Sequence, residues 1–136
     1  MNRQAIPPRS RFTRRSTAEE VTAGLDLAGR TVLITGCASG LGLESLRVLA
    51  LRGAHVIGVA RSADQAARAA ASVGAGITPV ACDLADLESV AACADAVRAL
   101  HRPIDVLMCN AGVMALRPRQ QRYGVENPKQ RLFRYG

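Results

Sequence analysis

Thr31-Val-Leu-Ile-Thr35, followed by Gly36-Cys-Ala-Ser-Gly40-Leu-Gly42, is the stretch that decides the fold of this chain. Its first five residues are uncharged and four of them are β-branched, the composition of a strand buried on both faces. The glycines that follow read as a turn out of that strand into a helix. Their positions, 36, 40 and 42, depart from G-x-G-x-x-G spacing but keep its physical ingredients. These are a tight exit from the strand, close backbone approach to a pyrophosphate and close helix–strand packing. Backbone N–H groups opening the helix, aided by its dipole, would be the donors. Three glycines alone also fit an ordinary loop, so the neighbouring sequence has to decide.

Downstream, the helix after Gly40 places Leu43, Leu46, Leu49 and Ala50 on one stripe and stops at Gly53. A second strand, His55–Ala60, ends at Arg61-Ser62, and an Ala-rich helix over 63–73 is broken by Gly74 and Gly76. The third strand, Ile77–Cys82, runs into Asp83-Leu84; Pro79 inside it predicts an edge position, because proline cannot donate to a ladder. A helix over 86–101 presents Leu87, Val90, Ala91, Ala94, Val97 and Leu100, and a fourth strand spans Ile104–Cys109. This alternation predicts an α/β fold, a Rossmann-type doubly wound parallel sheet of strand order 3-2-1-4, truncated after about four strands. Upstream, Ser16-Thr-Ala-Glu19 has capping-box spacing and predicts a short helix over 17–24. Beyond Gly112, residues 115–136 hold Pro118, Pro128 and five Arg with no period of 2 or 3.6. The expected organisation is a disordered basic tail over 1–15, a nucleotide-binding domain over 16–117 and an irregular tail over 118–136.

Composition narrows the function classes. With 49% hydrophobic and 3% aromatic residues, the 136-residue chain suits one domain built on an aliphatic sheet. The net charge of +7 belongs to the ends: residues 1–24 hold five Arg against two Glu, and residues 111–136 six basic residues against one Glu. Between them, residues 25–110 hold seven Arg against eight acids. A nucleic-acid groove would need basic and aromatic groups on the folded body, so no nucleic-acid partner is expected. Cys37, Cys82, Cys93 and Cys109 form no C-x-x-C pair and lack a His at ligand spacing, which predicts reduced cysteines and no metal. Cys82 and Cys109 read as small buried hydrophobes. No apolar stretch reaches the ~20 residues of a membrane span. The N-terminal segment has no signal core, and its weak likeness to a transit peptide is offset by Pro7-Pro8, so a cytoplasmic protein is expected.

In such a sheet, ligands bind beyond the carboxyl ends of the strands. The 36–42 turn would hold pyrophosphate. Arg61 stands where an acid would meet the ribose hydroxyls of NAD, and a guanidinium there suits a 2′-phosphate, favouring NADP over NAD; the alternative is that it merely begins a solvated loop. Asp83 could accept from an adenine amino group or cap the next helix with Asp86. Asn110-Ala111-Gly112 could line the ribose beside the nicotinamide or form a turn.

Taken together, Thr35-Gly36-Cys-Ala-Ser-Gly40-Leu-Gly42, Asp83-Leu84 and Asn110-Ala111-Gly112-Val113 resemble the short-chain dehydrogenase/reductase family, near its retinol-dehydrogenase-like members, over about 16–117. The resemblance implies an NAD(P)-binding Rossmann fold and hydride transfer between the dinucleotide and a small alcohol or carbonyl substrate. It implies that Gly36, Ser39, Gly40, Leu41 and Gly42 contact cofactor phosphates and ribose. It gives Arg61 the 2′-phosphate, Asp83 and Leu84 the adenine, and Asn110, Ala111 and Gly112 the inner ribose. The family's catalytic Ser and Tyr-x-x-x-Lys pair have no counterpart here: Tyr123 is followed four residues on by Asn127, Tyr135 stands one residue from the last, and Lys129 is the single lysine. The resemblance continues faintly through Met114–Glu126 and stops at Asn127, as a frameshifted or truncated reading frame would. The expectation is a cofactor-binding fragment without catalytic residues, with an unpaired sheet edge open to association; the alternative is a noncatalytic NADPH-binding or regulatory module, or a subunit completed by a partner.

Overall fold

Uncharged and mostly β-branched, Thr31–Thr35 forms strand β1, buried over its first four residues, and it occupies the interior of the sheet because parallel neighbours flank it on both sides. The computed structural model describes residues 10–112 and the backbone of residues 121–122 and 125–126. Chain order is helix α1 (Ala18–Val21), β1, α2 (Gly40–Leu51), β2 (His55–Ala60), α3 (Ala63–Val73), β3 (Ile77–Ala81), α4 (Leu87–Arg98) and β4 (Val106–Met108). Two short strands follow, β5 (Gln121–Arg122) and β6 (Val125–Glu126). The four-stranded sheet has order β3-β2-β1-β4, all parallel, as the sequence predicts. Pro79 sits on edge strand β3 opposite Gly58, where its missing N–H breaks no outer ladder.

Side chains alternate across the pleat and build two cores. Val32, Ile34, Val56 and Ala60 point to the face that Leu46 of α2 and Ala66 and Ala69 of α3 cover. Leu33, Ile57, Val59 and Val80 point the other way, against Val90, Cys93, Val97 and Leu100 of α4 and the segment after it. The stripe of α4 is therefore rotated from the predicted one: Leu87 and Ala91 are exposed, while Cys93 packs inward at the same 3-4-3 spacing. On α2, Val48 is buried outside the 43-46-49-50 stripe, because this helix touches α1 and α3 as well as the sheet.

At α1 the capping box is Thr17 with Glu20, not Ser16 with Glu19. Thr17 N–H donates to Glu20 Oε2 at 2.8 Å and Glu20 N–H to Thr17 Oγ1 at 3.1 Å. Ser16 Oγ instead accepts from Thr13 N–H, and Glu19 pairs with Arg47 of α2 at 2.9 Å. Strand β4 is shorter than predicted, and Cys109 beyond it is exposed rather than buried. The reason is its position: β4 pairs only with β1 in the described sheet, and its Val106 and Leu107 are 47% and 62% exposed. Within the segment expected to be irregular, β5 and β6 pair antiparallel, Gln121 with Glu126 and Arg122 with Val125. Two-residue strands are too short to show a period. Expectations for residues 1–9, 113–120, 123–124 and 127–136 fall outside the described residues.

Candidate functional site

An open cleft of about 480 Å³ lies beyond the carboxyl ends of the four parallel strands. Thr35 and Gly36 line it after β1, Val59, Ala60 and Arg61 at the end of β2, Cys82 and Leu84 after β3, and Asn110, Ala111 and Gly112 after β4. Ala38, Ser39, Leu41 and Gly42 contribute from the turn and the start of α2, and Gln65 from α3.

The turn is pinned from two sides. Gly36 takes φ +71°, a left-handed conformation that favours glycine, and a β-carbon there would sit 2.8 Å from Ala111 Cα. The N–H groups of Gly36 and Cys37 both donate to the Val59 carbonyl, at 2.8 and 3.2 Å, which ties the turn to β2. From the other side, Asn110 Nδ2 donates to the carbonyls of Thr35 and Gly36 at 3.1 and 3.2 Å, and Ala111 N–H donates to Thr35 Oγ1 at 3.1 Å. Gly42 lies under this latch: a β-carbon there would run into the Gly36 carbonyl oxygen and sit 2.6 Å from Asn110 Nδ2. Burial pushes the Cys37 thiol's pKa up, with a backbone hydrogen bond opposing it, so the buried thiol stays protonated and serves as packing.

The start of α2 differs from that of the other helices. Thr17, Ser62 and Asp86 each cap their helix with a side-chain oxygen, whereas the N-cap Ser39 makes no such bond. The first turn of α2 thus keeps its orphan donors beside the cleft, at the positive end of the helix dipole. Leu41, 82% exposed, stands at its mouth. Among the described residues that line the cleft, Arg61 carries the single charged side chain and none is acidic.

Nine of the eleven residues singled out from the sequence line this cleft; Gly40 and Asp83 do not. Gly40 supplies the backbone bend that opens α2, at φ +56°. Asp83 folds its carboxylate onto its own turn, Oδ1 accepting from Ala85 N–H at 3.0 Å, while its N–H donates to Ser89 Oγ at 2.9 Å. Of the two roles left open for Asp83 and Asp86, the cap of α4 goes to Asp86, whose Oδ1 accepts from Glu88 N–H at 3.1 Å. Thr35, Ala38, Val59, Ala60, Gln65 and Cys82 line the cleft without having been singled out. For Val59, Ala60 and Cys82 the signal was available, since each lies at a strand's carboxyl end. Among the described residues no group of His, Cys, Asp or Glu is placed to hold a metal ion, and no helix is long and apolar enough to cross a membrane.

Residues 30–128 match the family described as short chain dehydrogenase. This chain belongs to that family. The match begins later and runs further than the stretch legible by eye, 16–117. The chain is 38% identical over 113 residues to the WW domain-containing oxidoreductase of Homo sapiens, covering 79% of this chain and 27% of that protein. It is 41% identical over 104 residues to short-chain dehydrogenase TIC 32 B, chloroplastic, of Brassica napus, covering 73% of this chain and 32% of that protein. Among solved structures, the 3-ketoacyl-(acyl-carrier-protein) reductase of Brucella melitensis complexed with NADH superposes with TM-score 0.59 at 34% identity, over 65% of this chain and 36% of that one. A short-chain type dehydrogenase/reductase of Mycobacterium marinum gives TM-score 0.59 at 33% identity, over 67% and 38%. The chain thus spans about a third of the length of these relatives.

Proposed function

We propose that this chain binds NADP(H) through the cleft above β1–β4 and forms the cofactor-binding part of an oxidoreductase that exchanges a hydride with a small alcohol or carbonyl. The observation that carries the reading is the make-up of the cleft among the described residues: an uncapped helix start under a glycine turn, one guanidinium and no carboxylate. Such a site suits a pyrophosphate and a further phosphate better than a free ribose diol, which favours an acidic partner. The residues present fit the group. Substituting either Gly36 or Gly42 would fill the cradle with a β-carbon that has no room. Gly36, Ser39, Leu41 and Gly42, with Gly40 shaping the bend, would hold the phosphates and adjoining ribose, and Arg61 the 2′-phosphate. Leu84, with Asp83 behind it, would flank the adenine, and Asn110, Ala111 and Gly112 the inner ribose. When bound, the nicotinamide supplies or takes up the hydride.

These 136 residues contain no Tyr-x-x-x-Lys pair to exchange a proton with the substrate oxygen. The chain alone is therefore expected to bind without turnover, as the cofactor-binding part of a retinol-dehydrogenase-like protein in a reducing, cytoplasmic setting. Titration of the purified chain with NADPH and NADH, followed by nicotinamide fluorescence, tests this. Saturable binding that favours NADPH, without oxidation of it by added aldehydes or ketones, supports the reading; equal or absent binding of the two refutes it. A second reading, a noncatalytic module whose sheet another chain completes, is favoured by the exposed Val106 and Leu107 of β4. It predicts a concentration-dependent oligomer in size-exclusion chromatography.

A further inference from the structure

Arg61 shares its rim of the cleft with a residue that the sequence reading passed over. Gln65 lies in the first turn of α3, half-buried, lining the same cleft, and its backbone N–H donates to the N-cap oxygen of Ser62 at 3.3 Å. One position earlier, Asp64 is the acidic residue of that turn, yet it does not line the cleft. Its carboxylate lies 2.7 Å from Arg68, one turn further along the helix, and the side chains are 77% and 72% exposed. The rotation of ~100° per residue places Asp64 on the solvent side of the turn and Gln65 on the side of the cleft.

We infer that Gln65 is a specificity-determining residue: an uncharged side chain on the same cleft as Arg61 lets the site accept the phosphorylated ribose of NADP and sets it against the free diol of NAD. The inference rests on the NADP reading above and extends it to a residue that neither the turn nor the strand ends would name. An amide N–H can donate to a phosphate oxygen without adding charge. A carboxylate at the same place would repel a phosphate dianion and accept readily from two ribose hydroxyls. Discrimination would then come from excluding an acid as much as from supplying a base.

The test compares dissociation constants of NADPH and NADH for the parent chain, Gln65→Glu, Gln65→Ala and Arg61→Ala, with far-UV circular dichroism confirming the fold. Alanine is the stronger helix former, so Gln65→Ala keeps the measurement interpretable should the glutamate variant misfold. Gln65→Glu is expected to weaken NADPH about tenfold or more and leave NADH within about threefold, as a like charge set against a phosphate dictates. Gln65→Ala is expected to weaken NADPH about threefold, the loss of one hydrogen bond to a charged group that water partly replaces, and to leave NADH unchanged. If both Gln65 variants keep the parental NADPH/NADH ratio while Arg61→Ala collapses it, the inference is overturned and the cofactor reading stands. If the parent binds neither nucleotide, or both alike, the cofactor reading falls and the inference with it.

Discussion

Gly42→Ala should damage this protein, although glycine-to-alanine inside a helix ordinarily stabilises by up to about 1 kcal/mol. The reversal comes from what surrounds Gly42 in α2. An added β-carbon would collide with the Gly36 carbonyl oxygen, and it would sit 2.6 Å from Asn110 Nδ2 and 2.9 Å from the Gly36 carbonyl carbon. The nearest obstacle is backbone, which cannot swing aside like a side-chain tip. Either α2 moves off the sheet or the turn opens. Overpacking of this kind costs roughly 1–3 kcal/mol. Displacing Asn110 adds the loss of its bonds to the Thr35 and Gly36 carbonyls, about 1 kcal/mol each. Against the propensity gain, a net loss of about 2–4 kcal/mol remains, a fall in Tm of roughly 4–8 °C per kcal/mol for a body this size. Thermal unfolding followed at 222 nm reads the stability, and NADPH titration reads the cradle. A variant that melts at or above the parental Tm and binds NADPH normally would refute the reasoning.

Ser39→Ala should leave the Tm almost unchanged, because the hydroxyl makes no capping bond, yet weaken NADPH binding; Asp86→Ala, which removes a real cap, should cost about 1 kcal/mol in thermal unfolding. Leu46, fully buried under the sheet, should cost about 2–5 kcal/mol on change to alanine in urea unfolding, whereas Leu107→Ser on exposed β4 should change stability little and raise solubility. Asp105 accepts from Thr31 N–H and from Arg30, which hold its pKa below the usual carboxylate value. That contribution is complete above about pH 4 and is lost as pH falls through the lowered folded value, so the Tm of Asp105→Asn should fall less steeply than the parental Tm below about pH 4. His55, hydrogen-bonded to Thr78 at 2.9 Å, has its pKa lowered first by burial and then by Arg102. Its neutral form is the folded one, so stability should decline as pH drops below about 6.5, and His55→Gln should flatten that part of a Tm-against-pH profile.

How much the sequence reveals depends on the range of the interaction. The bounds of β1, β2 and α3 were readable to the residue because uncharged runs and Gly punctuation act locally. Strand order followed from alternation and from Pro79. The latch from Asn110 and Ala111 to Thr35 and Gly36 joins residues 74 to 76 positions apart, so no period could show it, and Thr35 looked like the end of a strand. Gln65 was hidden because cleft and solvent sides of the first turn of α3 differ by one residue's rotation, and Asp64 carried the more conspicuous charge. On α4, apolar residues at 87, 90, 91, 93, 94 and 97 admit two stripes, and only contact with the sheet chooses between them. Cys109 follows an apolar strand, but burial requires a neighbour, and β4 has one on a single side in the described sheet.

The central claim is that a dinucleotide's phosphates seat on the turn at 36–42, with their further phosphate at Arg61. The most direct measurement is a ¹H–¹⁵N spectrum of the labelled chain during titration with NADPH. The account predicts saturable shifts confined to the amides of residues 36–42, 61–65, 84 and 110–112, with those at 61–65 much smaller when NADH replaces NADPH. Shifts that map to the opposite end of the sheet, around Arg30, His55 and Asp105, or none at millimolar nucleotide, would contradict it.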